Sequence, residues 1–325
     1  MKIKKIILYI SLMLLITISP VYSSETENKV FYIDQDNFSQ LSSLMTEGGV
    51  YVFEYGNYSV SDSIYILDDV TLQGNGAVIT NTSGLATFRL DQSNIKIDGF
   101  KIVNGGAAVA IYAGSNNNII SNNIFQSAHT GVSIAGNNNI IENNQILSTG
   151  EYQGNGDGVT IGGNASYNII SNNTIKDGAC YGIWIVGAEN PNFNVIKNNY
   201  ISNNATTSVM LNAGKGHTVK NNILINSPSH AVAIEKSKDV IIKDNLIYEN
   251  RAAGIFVYKD AENVIVSDNI SKGNGVGGNL TFGKDIVITS GNNLKNVLVT
   301  NNIVGTLSEL GVGQNIVIKD NIIAP

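Results

Sequence analysis

The chain has 325 residues and a formal net charge of −6, with no basic block, which excludes nucleic acid as a partner because nothing on it would gather a polyanion. It holds 46 Asn and 33 Gly but only 4 Pro, a composition of many short strands and tight, left-handed-tolerant turns rather than of helices. A single cysteine, Cys180, excludes a disulfide framework and leaves no lipid-attachment cysteine behind the leader.

Lys2, Lys4 and Lys5 precede the apolar run Ile6 to Ile18, and small residues follow around Val21 to Ser24. That order reads as a secretory signal over residues 1–24, with cleavage near Ser23 or Ser24 and an uncleaved signal-anchor as the alternative. The apolar run is short for a membrane span. The mature protein is therefore expected to be exported, periplasmic or extracellular, with no membrane segment once the signal is removed. In the stretch 25–69, Phe38, Leu41, Leu44 and Met45 have helical spacing, with Asp36 or Asn37 as the N-cap.

From residue 70 to the C-terminus one pattern recurs eleven times: apolar, any, apolar, two residues, Asn, then apolar one or two places later. Its marker falls at Asn75, Phe100, Asn123, Asn144, Asn173, Asn199, Asn222, Asn245, Asn269, Asn302 and Asn321. A period in the low twenties with strand-like alternation means a solenoid of stacked coils, without a linker and hence with one elongated domain. Each unit carries a second strand a few residues later, as in Gly131 to Ile134, Gly158 to Ile161 and Gly182 to Ile185. Period two sends its apolar residues to one face, where stacking aligns them in columns that fill a narrow core. A polar side chain repeated at the edge of that core must be satisfied. The Asn column is therefore expected to form a ladder at an inward bend, each amide bonding to the next coil. Asn also tolerates the left-handed backbone such a bend requires.

Taken with the opening GGVYVFEYGNYSVSDSIYILDDVTLQGNGAVI, Gly48 to Ile79, these residues resemble the right-handed parallel β-helix superfamily of pectate lyases, polygalacturonases, phage tailspikes, alginate epimerases and NosD-like proteins. The resemblance covers roughly residues 29 to 325. It implies an all-β fold, a single right-handed parallel β-helix of ten to eleven coils over 70–325, with 25–69 as entry coil and a short helix plugging the N-terminal end of the core. The last repeat runs to Pro325 with no residues spare for a second cap. That end is either ragged or covered by a partner, and end-to-end self-association through it is one expectation.

The fold hosts lyases, hydrolases, epimerases and inert binders, so function has to come from outward positions and loops. Two repeat intervals exceed the rest, one containing Ser148 to Asn155 and one containing Gly273 to Gly291; such insertions wall clefts in solenoids. Aligned second strands give outward columns. Before the strand stand Thr130, Asp157, Tyr181, Thr207, His230 and Ala253; within it Ser133, Thr160, Trp184, Met210, Ala233 and Phe256; after it Ala135, Gly162, Val186, Asn212, Glu235 and Tyr258. Neighbours in a column are about 4.8 Å apart, so Asp157 and His230 stand roughly 14 Å apart and share no proton. His129 and Asp157 belong to adjacent coils. With Glu151 and Tyr152 arching from the insertion and Tyr181 and Trp184 following, they form the first candidate cleft, for which surface polarity on a rod is the plainer reading.

The second candidate group is His230, Glu235, Lys236, Arg251, Tyr258 and Lys259 on two consecutive coils. Cations beside a carboxylate are what neutralising a uronate and acidifying its ring proton requires, and surface ion pairing explains them equally. Trp184 with Tyr181 and Phe256, facing outward, supplies a flat surface on which sugars stack.

Several family signatures are absent. The Asp-Pro-His-Asp sequence of alginate epimerases is replaced by Met210-Leu211-Asn212-Ala213, although HAVAIEK, His230 to Lys236, resembles that family's following coil. The polygalacturonase signatures are missing, so a two-carboxylate hydrolase is unsupported. No three aspartates stack as for a Ca²⁺ site, Asp157 standing nearly alone. One Cys, three scattered His and four Met do not make a copper site. No cofactor is expected, with Ca²⁺ left open as an alternative for which no ligand cluster stands in the sequence. The function expected is binding of an extracellular acidic polysaccharide, with or without processing of the lyase or epimerase type; the alternative is a noncatalytic surface or scaffold solenoid.

Overall fold

A computed structural model describes residues 29–45, 48–150, 156–187, 190–275, 284–289, 293–310 and 313–324. The expected signal, together with Glu151 and Tyr152, lies outside the described residues.

Short strands stack into three parallel sheets of thirteen, twelve and eleven strands, each strand pairing with its counterparts one coil before and after. The first sheet runs from Val30–Ile33 to Gln314–Lys319, the second from Asn57–Val60 to Ile322–Ile323, and the third from Ile64–Ile66 to Leu307–Leu310. The rod therefore has about twelve turns. The marker count falls short because the first coil, entered through Val30–Ile33 and Gly49–Phe53, carries no marker. Twelve intervals of about 4.8 Å make the first sheet roughly 58 Å long.

Alternation within each strand decides what is buried. In the first sheet Ile120 pairs with Ile141, and Ile141 with Ile170; all three are fully buried while their neighbours Ile119, Ile140 and Ile169 are half-exposed. In the third sheet Ile134, Ile161 and Ile185 align the same way. Each such Ile withdrawn from water contributes about 2 kcal/mol. At the N-terminal end, Phe38–Gln40 and Leu41–Leu44 form a short helical segment with Asn37 at its N-cap. Leu41 and Met45 are buried in the core, and the Phe38 ring lies 4.9 Å from Tyr58 and 6.2 Å from Phe53. At the other end Ile316 and Ile318 are only partly buried, and Ile322 and Ile323 are exposed.

The asparagine ladder runs unbroken from Asn123 through Asn144, Asn173, Asn199, Asn222, Asn245, Asn269 and Asn302 to Asn321, each side-chain Nδ2 donating to the next Oδ1 at 2.9–3.1 Å. Each Oδ1 also accepts the backbone N–H of the Asn one coil earlier, and each Nδ2 also donates to a strand carbonyl of that earlier coil, as Asn144 does to Ile120. These amides are thus buried at little cost. The left-handed bend belongs instead to the residue before each ladder Asn: Asn122, Asn143, Asn172, Asn198, Asn221, Asp244, Asp268, Asn301 and Asp320 have φ between 55° and 58°. One expected role is therefore split between two neighbours.

Asn75 does not join this ladder. It is exposed, has φ 49°, and its amide donates to the Phe53 carbonyl at 3.2 Å. The turn from Gly74 to Ala77 is two residues longer than the turn that follows Asp98, so buried Ala77 takes the column position and counting from the marker misplaces Asn75. Phe100 follows in the column, edge-on to Phe53 at 4.9 Å and to Phe88 at 5.3 Å, and its N–H starts the ladder by donating to Asn123 Oδ1.

A second ladder lies on the other side of the first sheet, from Asn118 through Asn139 and Asn168 to Asn194, bonded at 2.8–3.1 Å. His217 closes it, accepting the Asn194 backbone N–H at its Nδ1 (3.3 Å) and placing Nε2 3.0 Å from the Ala213 carbonyl. Burial holds His217 at a pKa of about 4. This ring is a neutral member of the scaffold.

Candidate functional site

The third sheet carries the outward columns in the order the alternation predicts. Ser133, Thr160, Trp184, Met210, Ala233 and Phe256 pair in succession, each between two inward apolar residues. At the leading edge the backbone bonds Gly131 to Asp157, Gly158 to Tyr181, Gly182 to Thr207 and Ser208 to His230 fix the column through Asp157, Tyr181, Thr207 and His230. Asp157 and His230 are thus three coils apart.

Asp157 is buried where the chain leaves the 151–155 insertion and enters the strand Val159–Ile161. Its Oδ2 accepts the Thr160 hydroxyl at 2.7 Å and its Oδ1 the Tyr181 backbone N–H at 3.1 Å. Burial raises its pKa, outweighing Thr160, the Tyr181 N–H, the Cys180 thiol and the His129 imidazole, which lower it. His129 is therefore within electrostatic reach of the carboxylate, and its buried Nδ1 has no hydrogen-bond partner among the described residues. Burial and the Asp157 charge raise the pKa of Cys180, which keeps it a thiol rather than a nucleophilic thiolate.

At the trailing edge Glu235 is buried and ion-paired. Tyr258 donates its hydroxyl to Glu235 Oε2 at 2.9 Å, and Lys259 and Lys236 Nζ lie 3.2 and 3.5 Å from Oε1. Burial pushes the Glu235 pKa up, but Tyr258 and the two lysines overcome it and hold the group below its ordinary value. Burial and Glu235 together push Tyr258 well above the usual phenol range. Arg251 stands apart from the group assigned to it: it is exposed and makes no ion pair with Glu235 among the described residues.

His230 stacks on Phe256 at 4.4 Å with rings 2° from parallel, and its Nδ1 accepts the Ala253 backbone N–H at 3.1 Å. Burial lowers its pKa to about 4. A neutral ring accepting at Nδ1 carries its proton on Nε2, so His230 offers a donor and no basic nitrogen. That rules it out as the base in the second group.

The aromatic strip faces outward but is less open than a flat exposed surface. Phe256 is buried with Met210, Ala233, Ala253 and Val287 in a separate outer apolar cluster, against which Tyr181, Trp184 and Tyr258 pack half-buried. Tyr181 and Trp184 rings lie 5.0 Å apart, and Phe256 and Tyr258 rings 4.5 Å apart. Burial, then Cys180, Asp157 and Glu235, raise the Tyr181 pKa. Tyr181 thus senses both edges, and the two candidate groups belong to one surface. The Trp184 indole N–H is buried without a hydrogen-bond partner among the described residues.

Beside Lys236, where the third sheet hands over to the first, lie two contiguous grooves. One, of about 340 Å³, is lined by Asn190, Asn192, Gly214, Lys215, Lys236 and Lys238. The other, of about 540 Å³, reaches Val186 and Asn212. Lys215 and Lys238 escaped the sequence reading because they lie outside the aligned third-sheet strands, Lys238 opening the first-sheet strand Lys238–Lys243, although the bridges Asn192 to Lys215 and Lys215 to Lys238 put them in one column. Among the described residues no three His, Cys, Asp or Glu side chains gather as a metal site, and no helix is long and apolar enough to cross a membrane.

Residues 44–195 and 153–302 match the right-handed β-helix region family, and the chain belongs to that family. Among solved structures it is similar to the A-module of the mannuronan C-5 epimerase AlgE6 of Azotobacter vinelandii, at 14% identity and TM-score 0.60, over 88% of this chain and 93% of that one. It is also similar to a mutant tailspike protein of E. coli bacteriophage HK620 in complex with a pentasaccharide, at 13% identity and TM-score 0.66, over 87% and 61% of the two chains. A third is PfbA, a surface adhesin of Streptococcus pneumoniae, at 13% identity and TM-score 0.55, over 88% and 86%. At these identities the likeness is one of fold. No curated protein matches the sequence.

Proposed function

We propose that this protein is exported and that the outward face of its third sheet binds an acidic extracellular polysaccharide laid along the rod. The observation that carries the proposal is Trp184, a half-buried ring 5.0 Å from Tyr181 whose indole N–H has no partner among the described residues. An unmet buried donor costs about 1–3 kcal/mol, and a sugar hydroxyl stacked at the ring edge would satisfy it while the ring face covers apolar C–H groups. Lys236 and Lys259 at the trailing edge supply positive charge for a uronate carboxylate. Among the similar folds, the epimerase is named for mannuronan and the tailspike is bound to a pentasaccharide, which supports a carbohydrate ligand.

The test is retention of the mature protein on alginate, pectate, glycosaminoglycan and neutral glycan columns. Retention on the acidic columns, weakened about tenfold by Trp184→Ala and less by Trp184→Phe, is the expected result. Absence of retention on every glycan supports the scaffold reading and rejects this one.

A processing reading is favoured by one further observation, the His129–Asp157 pair. Burial raises the pKa of Asp157, which lies within electrostatic reach of an imidazole whose Nδ1 has no partner among the described residues, and this suits proton transfer at a sugar carbon flanked by a carboxylate. Unsaturated-product absorbance and epimerised residues in the same incubations test it.

A further inference from the structure

The left-handed turn between the third and first sheets repeats at one register position in eleven successive coils: Asp69, Asn94, Asn117, Asn138, Tyr167, Phe193, Gly216, Asp239, Asn263, Asn296 and Asn315, with φ between 53° and 72°. Every position but two holds Asn, Asp or Gly, the residues that enter this region without strain. Tyr167 (φ 61°) and Phe193 (φ 54°) are the exceptions. A bulky residue here is strained relative to Asn, and such strain persists where another demand overrides it.

Core packing is not that demand. Tyr167 is 56% and Phe193 42% exposed, and their rings stack at 5.2 Å and 14° on the outside of the rod. The next position, Gly216, lies beneath the Phe193 ring: a Cβ there would stand 2.3 Å from Phe193 Cδ1. Three successive coils thus build a platform of two stacked rings set over Gly216. Asn192 and Lys215, each one residue from the platform, line the groove that also holds Lys236 and Lys238. Lys238 pairs with Glu262 at 2.9 Å and Lys236 with Glu235 at 3.5 Å, whereas Lys215 has no ion pair among the described residues. An aromatic platform beside a lysine groove, on a chain of net charge −6, is a local reversal of the surface's character.

We infer that Tyr167, Phe193 and Lys215 form a second glycan subsite, outside the third-sheet face, that takes one hexuronate ring on the platform with its carboxylate in the lysine groove. The exposed parts of the two rings cover the sugar's C–H surface, and the ammonium groups meet an anion that the rest of the surface repels. This inference extends the acidic-polysaccharide reading and shares its ligand class, so its test separates the two.

The experiment is calorimetric titration of the full chain with a hexuronate tetrasaccharide and with its carboxyl-reduced neutral counterpart, alongside urea unfolding. Phe193→Asn and Tyr167→Asn are expected to weaken tetrasaccharide binding at least fivefold while the urea midpoint rises or holds, because Asn relieves the backbone. Lys215→Ala is expected to weaken the acidic ligand and leave the neutral one unchanged. Asn variants that bind normally, or that lose binding only with a lowered midpoint, show rings serving the fold and overturn the inference. Trp184→Ala reports separately on the sheet face: loss there with full binding in Phe193→Asn and Lys215→Ala overturns the platform and leaves the face reading standing. The converse pattern supports the platform alone, and no binding by the unmodified chain overturns both.

Discussion

Gly156 lies against His129 so closely that a Cβ on the glycine would stand 1.4 Å from the His129 carbonyl oxygen. Gly156 is thereby held against the coil before it, and Asp157 follows it within electrostatic reach of the imidazole. Gly156→Ala forces the two coils apart and is expected to destabilise the fold by about 3 kcal/mol. Gly163→Ala is the control: at φ 59° with nothing within 4 Å, it carries only backbone strain of about 1–2 kcal/mol. Equal urea midpoints for the two variants would show that the close approach does not constrain the fold.

Acid should unfold this protein through its histidines. His217 and His230 have pKa values of about 4 when folded, lowered by burial from 6.5. The unfolded chain takes up these protons as pH falls below 6.5 and the folded chain does not, so their stabilisation is complete above pH 6.5 and is lost progressively toward pH 4. The loss is about 3 kcal/mol for each. Urea midpoints between pH 7 and 4 measure it, and His217→Asn, which continues the ladder with a group that does not titrate, should flatten the slope.

Removing one rung from the middle of the Asn ladder leaves several buried groups unpaired. In Asn222→Ala the Asn199 N–H and amide, the Ile196 carbonyl and the Asn245 oxygen each lose a partner, for an expected cost of about 3 kcal/mol. Asn321→Ala, at the partly exposed last rung, should cost less than about 1 kcal/mol. Chemical unfolding compares them, and equal losses would mean that the ladder's worth is not in its burial.

On uronate polymers, His129→Ala and Asp157→Asn are each expected to reduce turnover about a hundredfold. His230→Phe, which keeps the ring stack on Phe256, should stay within about twofold of the unmodified chain, since its Nδ1 is already engaged by the Ala253 N–H. Product formation that survives both His129→Ala and Asp157→Asn rejects this pair as the proton-transfer machinery.

The polymer's charge should show in the salt dependence of retention. With Lys236 and Lys259 exposed, binding to polyuronate columns should weaken as the Debye length shrinks below about 10 Å, near 0.1 M salt. Binding to neutral glycans should not change. An identical salt response on both columns would locate recognition in the rings alone.

Period and alternation carried the fold because each depends on near neighbours: Asn123 to Asn321, the inward Ile columns and the Asp157 to His230 register are consequences of spacing. Asn75 was misread because a two-residue lengthening of one turn moves a column without altering the marker. The second ladder, Asn118 to Asn194, stands five residues before each main rung and was equally visible. His217 hid its end because an imidazole nitrogen replaces an amide oxygen there. Which outward residues would be covered was not legible. Phe256 and Met210 point out of the sheet as the alternation requires, yet their burial depends on packing between coils, and no ion pair joins Arg251 to Glu235 among the described residues. Tyr167 and Phe193 were in plain view within repeated Asn triplets, but only φ shows that they occupy a position meant for smaller residues.

Dividing the bend from the bond between neighbours such as Asn122 and Asn123 has a consequence for how this molecule can change. Each rung inside the ladder bonds the coil before it and the coil after it, several also their own coil as Asn222 does to Lys220, and each bend residue donates its N–H to the following coil, as Asn122 does to Glu142. A whole coil can be duplicated or deleted with the pattern of contacts kept, whereas residues gained between a first-sheet strand and its ladder position take that rung out of the column, as the longer turn from Gly74 to Ala77 does to Asn75. The rod's length is free to drift in steps of one coil, and a binding face spread over several coils would lengthen or shorten with it.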